Sequence, residues 1–128
     1  MTGVGHRILV VAVVALGLVA PAMGQAPETK TKAKQAGKAA PLFAAGSVVG
    51  KTLYIAGKGD YRPEAEFPDK VKNCLNEVGK SLRAAGLDMR NVVKSFVYLE
   101  DRDKFPELNK AYAEFFPADP PARTTLGV

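Results

Sequence analysis

The feature that most constrains the fold is the alternation, after residue 41, of β-rich runs with two stretches of helical periodicity. Two β-rich runs meet at Gly50 and Lys51, a helical stripe and a third β-rich run follow, and a second stripe precedes a last β-rich run. The pattern predicts the order β-β-α-β-α-β. Two amphipathic helices can cover only one face of a sheet. We therefore expect an α/β (α+β) domain whose second sheet face is buried in an oligomer or stays exposed.

Local sequence signals predict the first three elements, a hairpin and a helix. Glycine at the first central position of the turn predicts a type II′ hairpin over residues 47–56. From Asp69 onward, three- and four-residue spacing predicts one apolar helix face made of Val71, Cys74, Leu75, Val78, Leu82 and Ala85. Gly86 follows where a left-handed residue commonly ends a helix.

Local signals also predict the last three elements, a strand, a helix and a final strand. Residues 92–99 are mostly apolar, which predicts a strand in the interior of the sheet. Asp101 or Asp103 is expected to cap a second helix. The apolar face of that helix would consist of Phe105, Leu108, Tyr112, Phe115 and Phe116. A further strand is expected to begin at Arg123, after the Pro120-Pro121 pair.

The N-terminal residues 1–24 have the pattern of a secretory signal peptide. Arg7 precedes an apolar run over residues 8–20, and Ala22 and Gly24 occupy the small-residue positions of a cleavage site. An uncleaved anchor or a buried helix is the alternative, but the run is shorter than the roughly 20 residues of a membrane span. We expect cleavage after Gly24, export to the periplasm or outside the cell, and no stable membrane insertion afterwards.

The positive charge lies mostly outside the predicted domain. The chain has a formal charge of +5, whereas residues 41–128 carry 13 basic and 12 acidic side chains. Residues 25–40 contain four lysines, one glutamate and no large apolar residue, which predicts a flexible Lys/Ala-rich linker. Because nucleic-acid binding needs clustered positive charge, we expect no nucleic-acid partner.

The residue types leave little room for histidine or cysteine chemistry. The one histidine, His6, lies in the predicted signal peptide, and its removal excludes a serine triad and histidine-ligated metal. The one cysteine, Cys74, lies on the predicted apolar helix face, where a thiol is expected to be buried and inert. Arg123, at the start of a strand, offers a planar fork for a carboxylate, although spacing alone favours a surface arginine.

Five blocks carry a resemblance to a known family. Residues 52–57 (TLYIAG), 84–88 (AAGLD), 91–99 (NVVKSFVYL), 105–116 (FPELNKAYAEFF) and 120–128 (PPARTTLGV) resemble the Rid (RidA/YjgF) family. The resemblance implies a chorismate-mutase-like ββαβαβ fold with two helices on one face. It also implies a homotrimer with a barrel-like core and clefts between subunits. The implied activity is hydrolysis of 2-imino or enamino acids to 2-oxo acids and ammonia, with no metal or organic cofactor.

The resemblance also implies roles for individual residues. Arg123 matches the arginine that binds the substrate carboxylate and is the one catalytic candidate. The other implied substrate-binding positions are Phe43, Gly57, Lys58, Asn109 and Thr125. Three residues depart from the family pattern: Phe43 stands for a tyrosine, Ala56 for a serine, and Lys58 for a glutamine or similar residue.

The family pattern continues past the last block with a strand that carries a water-positioning glutamate, which residues 41–128 lack.

Three functions remain open at this point. The first hypothesis is a deaminase centred on Arg123. The second, motivated by Phe43, Ala56 and Lys58, is a trimer that binds small carboxylates without turnover. The third, RNA cleavage as attributed to some relatives, is disfavoured by the nearly neutral charge of residues 41–128.

Overall fold

The computed structural model describes residues 7–15, 31–32 and 43–128. It contains seven strands, two α-helices and two short 3-10 turns, Met89–Asn91 and Arg102–Lys104, within those residues. The strands are β1 (Ile8–Ala15), β2 (Thr31–Lys32), β3 (Gly46–Val49), β4 (Thr52–Ile55), β5 (Lys58–Asp60), β6 (Val92–Leu99) and β7 (Ala122–Gly127), and the helices are α1 (Phe67–Ala84) and α2 (Phe105–Phe115).

The strands form one sheet in the order β2-β3-β4-β1-β6-β7, and β5 also pairs with β1. The β6–β7 pair is parallel, and the other pairs are antiparallel. Both helices pack on the same face, since the apolar sides of α1, α2 and the sheet share one core. The predicted α/β class with two helices and a sheet is confirmed, with three strands beyond the predicted order. Among the described residues, no helix has the length and apolar character needed to cross a membrane.

The central strand β1 comes from the apolar run that the sequence pattern assigned to a signal peptide. One of its edges pairs with β4 and β5, and the other edge pairs with β6. Ile8 and Val10 are each 1% exposed in the core. The predicted cleavage site at Gly24 lies outside the described residues, as does the predicted linker 25–40 except for β2. Signal cleavage and export therefore stay predictions.

The predicted hairpin is confirmed in β3 and β4, whose register joins Val49 to Thr52. Gly50 has a φ of 58°, and Lys51 does not have a positive φ. A positive φ at the first central residue alone is the type II′ pattern, which glycine adopts without strain. The turn therefore sets the register of the strands on both sides of it.

The helices follow the predicted faces except at their ends, where Phe105 at the start of α2 is 42% exposed and two further differences occur. All predicted face residues of α1 are buried except Ala85, which is exposed and follows the helix. Gly86 comes next with a φ of 76°, as predicted for the residue that ends the helix. The expected cap of the second helix is wrong. The Asp101 carboxylate accepts a hydrogen bond from the Asp103 backbone NH and so caps the 3-10 turn, whereas α2 has no side-chain cap.

The second face of the sheet is the one that the helices leave uncovered. On β6, Ser95, Val97 and Leu99 are buried under the helices, whereas the alternate residues Phe96 and Tyr98 are only partly buried. On β4, Tyr54 is 47% exposed on this same second face. Aromatic side chains on an uncovered sheet face are typical of a surface that packs against another protein.

Cys74 is buried, as predicted. Its side chain is 1% exposed, and its Sγ lies 3.8 Å from the Ile8 carbonyl oxygen. Burial raises the pKa of the thiol to about 12, so the thiolate is not populated near neutral pH. Cys74 therefore contributes packing between α1 and β1.

Asp60 is a buried carboxylate at the end of β5, with 3% of its surface exposed. Its oxygens accept hydrogen bonds from the Arg62 guanidinium, the Arg62 backbone NH and the Asn73 amide. The Arg62 side-chain hydrogen bond is the main reason that the pKa of Asp60 is lowered to about 2. The carboxylate therefore ties the β5 end to α1 while it stays ionised.

We expect acid to destabilise the protein through Asp60. Because its folded-state pKa is depressed, its contribution is complete above about pH 4 and is lost as pH falls through about 2. Urea unfolding of the wild type between pH 5 and 2 should show this loss. Asp60→Asn should be less stable at pH 5 and show a shallower decline, while the exposed control Asp119→Asn should follow the wild type. If the free energy of unfolding falls equally steeply with decreasing pH in wild type and Asp60→Asn, Asp60 is not the source of the acid sensitivity.

Candidate functional site

Arg123 lies on β7, at the open edge of the sheet beside α2. Its register partner on β6 is Ser95, whose side chain is buried under the helices, so Arg123 also points to the helix-covered face. The Arg123 Nη2 donates a hydrogen bond to the Asn109 side-chain oxygen at 2.6 Å. Two of the residues expected from the family resemblance are therefore in direct contact.

Two aromatic rings hold the Arg123 guanidinium. Its Cζ lies 4.7 Å from the centroid of the Tyr112 ring and 5.5 Å from that of Phe105. Contacts of this kind attract a cation to the ring face. Arg123 forms no ion pair with a carboxylate among the described residues, so its charge is available to an anionic ligand.

Tyr112 links Arg123 to the interior of the sheet. Its hydroxyl shares a 2.7 Å hydrogen bond with the Ser95 hydroxyl, and both side chains are buried. Burial raises the pKa of Tyr112, so the phenol stays neutral at physiological pH. The Ser95–Tyr112 pair therefore fixes the ring on which the guanidinium rests.

A cavity of about 550 Å³ opens beside this cluster. Thr125, another residue expected from the resemblance, lies two positions after Arg123 on the same face of β7 and lines the cavity. The remaining lining residues are Leu99, Arg102, Phe105, Leu126 and Gly127. A cavity that combines apolar side chains with a few polar groups is typical of a small-molecule site.

Three other expected site residues lie elsewhere in the chain. Phe43 and Gly57 are exposed, and Lys58 is partly buried. All three lie at the open end of the β3–β4 hairpin, where the Ala56 NH donates a hydrogen bond to the Ala45 carbonyl oxygen. Strands β1 and β6 separate β4 from β7, a distance of roughly 14 Å across the sheet. Within one chain, these residues do not meet Arg123.

The sequence pattern did not reveal the supports of Arg123. Tyr112 was expected only as a core residue of α2, and Phe105 likewise, although Phe105 is 42% exposed. Ser95 offered a signal, since it is a polar residue within the apolar run of β6. Arg102 was not singled out, because it lies in a charged stretch where an exposed arginine is expected.

Comparison with known proteins gives a consistent family of relatives. Residues 20–128 match a family model described as endoribonuclease L-PSP. A RutC family protein of Sulfurisphaera tokodaii is 33% identical over 86 residues, which cover 62% of this chain and 69% of that protein. The human 2-iminobutanoate/2-iminopropanoate deaminase is 33% identical over 87 residues, which cover 63% of this chain and 64% of that protein.

Solved structures show the same fold. Yeast Mmf1 superposes with a TM-score of 0.69 at 27% identity, covering 78% of this chain and 86% of that one. The E. coli protein TdcF, solved with bound serine, superposes with a TM-score of 0.63 at 26% identity, covering 70% of this chain and 77% of that one. The likeness therefore extends over most of the described residues.

Proposed function

Because the chain belongs to the endoribonuclease L-PSP family, the family of the Rid (RidA/YjgF) proteins, we propose that it hydrolyses 2-imino acids to 2-oxo acids and ammonia. The observation that carries this proposal is the Arg123 guanidinium, held by Asn109 and two rings and without a carboxylate partner among the described residues. A guanidinium held in this way binds a carboxylate through two parallel hydrogen bonds. The human relative's name, an iminobutanoate and iminopropanoate deaminase, supports the same chemistry.

Imine hydrolysis requires little of the site beyond binding and orienting the substrate. Arg123 would hold the carboxylate of the substrate and leave the adjacent C=N carbon open to water. Water adds its oxygen to that carbon, protons pass to nitrogen, the C–N bond breaks and ammonia leaves. Imines are reactive enough that positioning and electrostatic stabilisation can supply the acceleration.

Assembly of three chains is the second part of the proposal. The aromatic face of the sheet, including the 47% exposed Tyr54, has no cover among the described residues. The hairpin-end residues Phe43, Gly57 and Lys58 could reach Arg123 only from a neighbouring chain, given the strands that separate them. We expect sedimentation equilibrium at micromolar concentration to give three times the chain mass. The mass of a single chain would contradict this part.

Imines generated by an amino-acid oxidase test the activity. Purified protein should accelerate formation of the 2-oxo acid over the spontaneous rate, and Arg123→Ala should not. If wild type and Arg123→Ala give the same rate, the proposal is wrong.

A non-catalytic carboxylate-binding protein is the second candidate. The observation that favours it is the loss of two hydroxyls, at Phe43 and Ala56, relative to the family pattern. It predicts that wild type binds 2-oxo acids, that Arg123→Ala does not, and that neither accelerates imine hydrolysis. Calorimetry beside the rate assay separates the two candidates.

A further inference from the structure

An arginine other than Arg123, Arg102, lines the cavity beside the Arg123 cluster. Arg102 comes from the 3-10 turn before α2, and its side chain lies along Gly127 near the end of β7. A Cβ on Gly127 would lie 2.9 Å from the Arg102 Cγ and 3.0 Å from its Cδ. The absence of a side chain at residue 127 is therefore what lets the Arg102 stem lie against the strand.

Arg102 carries an uncompensated charge. It is exposed, it lines the cavity, and it forms no ion pair among the residues that the structure describes. In contrast, the exposed Arg90 is paired with Asp88 at 2.6 Å. A guanidinium that faces a cavity without a carboxylate partner can bind an anionic group of a ligand.

Arg102 lines the cavity beside Gly127, and Arg123 lies beyond Thr125 at the other end of the same strand face. Arg123, Thr125 and Gly127 alternate along one face of β7, since their partners on β6 are Ser95, Val97 and Leu99. Four residues of extended strand span about 13 Å, so the backbone positions beside the two guanidinium groups are separated by that distance. Thr125 lies between them and lines the same cavity.

Resting on the function proposed above, we propose that Arg102 is a specificity-determining residue that binds a second, distal carboxylate. The substrates would then be 2-imino dicarboxylic acids. Arg123 binds the carboxylate next to the imine, and Arg102 binds the carboxylate at the other end of the ligand. The bonds made and broken stay those of imine hydrolysis, with water oxygen added at the imine carbon and ammonia released.

Isothermal calorimetry with two stable 2-oxo acids tests this assignment. 2-Oxoglutarate has the distal carboxylate, and 2-oxobutanoate lacks it. We expect the wild type to bind 2-oxoglutarate at least ten-fold more tightly. Arg102→Gln keeps a long polar side chain but removes the charge, and it should reduce this ratio of affinities to near one. The matched control Arg90→Gln removes the same charge at a side chain that is 90% exposed and outside the cavity, and it should keep the ratio.

Arg123→Ala separates this inference from the proposed function. Suppose that Arg123→Ala weakens the binding of both ligands while Arg102→Gln keeps the wild-type ratio of affinities. The proposed role of Arg102 is then wrong, and the carboxylate site at Arg123 is supported. If Arg123→Ala changes neither affinity, or the wild type binds neither ligand, the carboxylate site and the role of Arg102 are both wrong. A wild-type ratio near one also overturns the role of Arg102.

Discussion

A chain that begins at Gln25 is expected to lose its cooperative folded state. Removing residues 1–24 removes β1, which lies between β4 and β6 and is the strand through which those two are joined. Ile8 and Val10 are each 1% exposed, and burial of two such side chains stabilises by about 3–6 kcal/mol. That is a large share of the roughly 5–15 kcal/mol that holds an ordinary domain together.

Circular dichroism and urea unfolding of the full and shortened chains measure this effect. If the shortened chain aggregates, two point variants on β1 test the structural role of that strand instead. Val10→Gln places an amide in the core and should lower the free energy of unfolding by about 3 kcal/mol. Leu9 is partly buried and points to the opposite face, so Leu9→Gln should cost clearly less. An unchanged spectrum and urea midpoint for the shortened chain would contradict the structural role of β1.

The second large effect is expected at Arg123. On the proposed function, Arg123→Ala would remove two charge-assisted hydrogen bonds to the substrate carboxylate, each worth about 1.5–3 kcal/mol. We expect kcat/KM for 2-imino acids to fall roughly 100-fold or more. Arg123→Lys keeps the charge, but it loses the planar fork and its fit on the Tyr112 ring, so most of the loss should remain.

The controls for Arg123 concern folding and charge. Near-UV circular dichroism and the urea midpoint of both variants should stay close to the wild type, because Arg123 is only partly buried. Lys110→Gln removes an exposed positive charge from α2 and should keep wild-type activity. Full activity in Arg123→Lys would show that a point charge suffices and would contradict the bidentate assignment.

Elements that depend on local signals could be predicted from the sequence. Gly50 and Gly86 have the positive φ values that their places in the turn and at the helix end required. Cys74 and Leu82 are buried on the predicted face of α1. In these cases, the physical cause lies within a few residues of the position itself, so the pattern was sufficient.

Features that depend on distant pairing could not be predicted. The apolar run over residues 8–15 carries no local signal of a central strand, because that place in the sheet depends on pairing with β4 and β6. Only the family resemblance placed Arg123 and Asn109 at one site, and their mutual contact was not predicted. The support of the guanidinium by Tyr112, and of Tyr112 by Ser95, joins residues on three separate elements and has no local signature.

The place of β1 at the start of the chain has a consequence for synthesis. Its pairing with β6 joins residues such as Val14 and Val92. At about 5–20 residues per second, roughly 4–16 s pass between translation of the two segments. During that interval, an apolar segment waits on the ribosome without its neighbours, and any factor that recognises nascent apolar segments can bind it first. The predicted export and the entry of β1 into the sheet would then compete in rate.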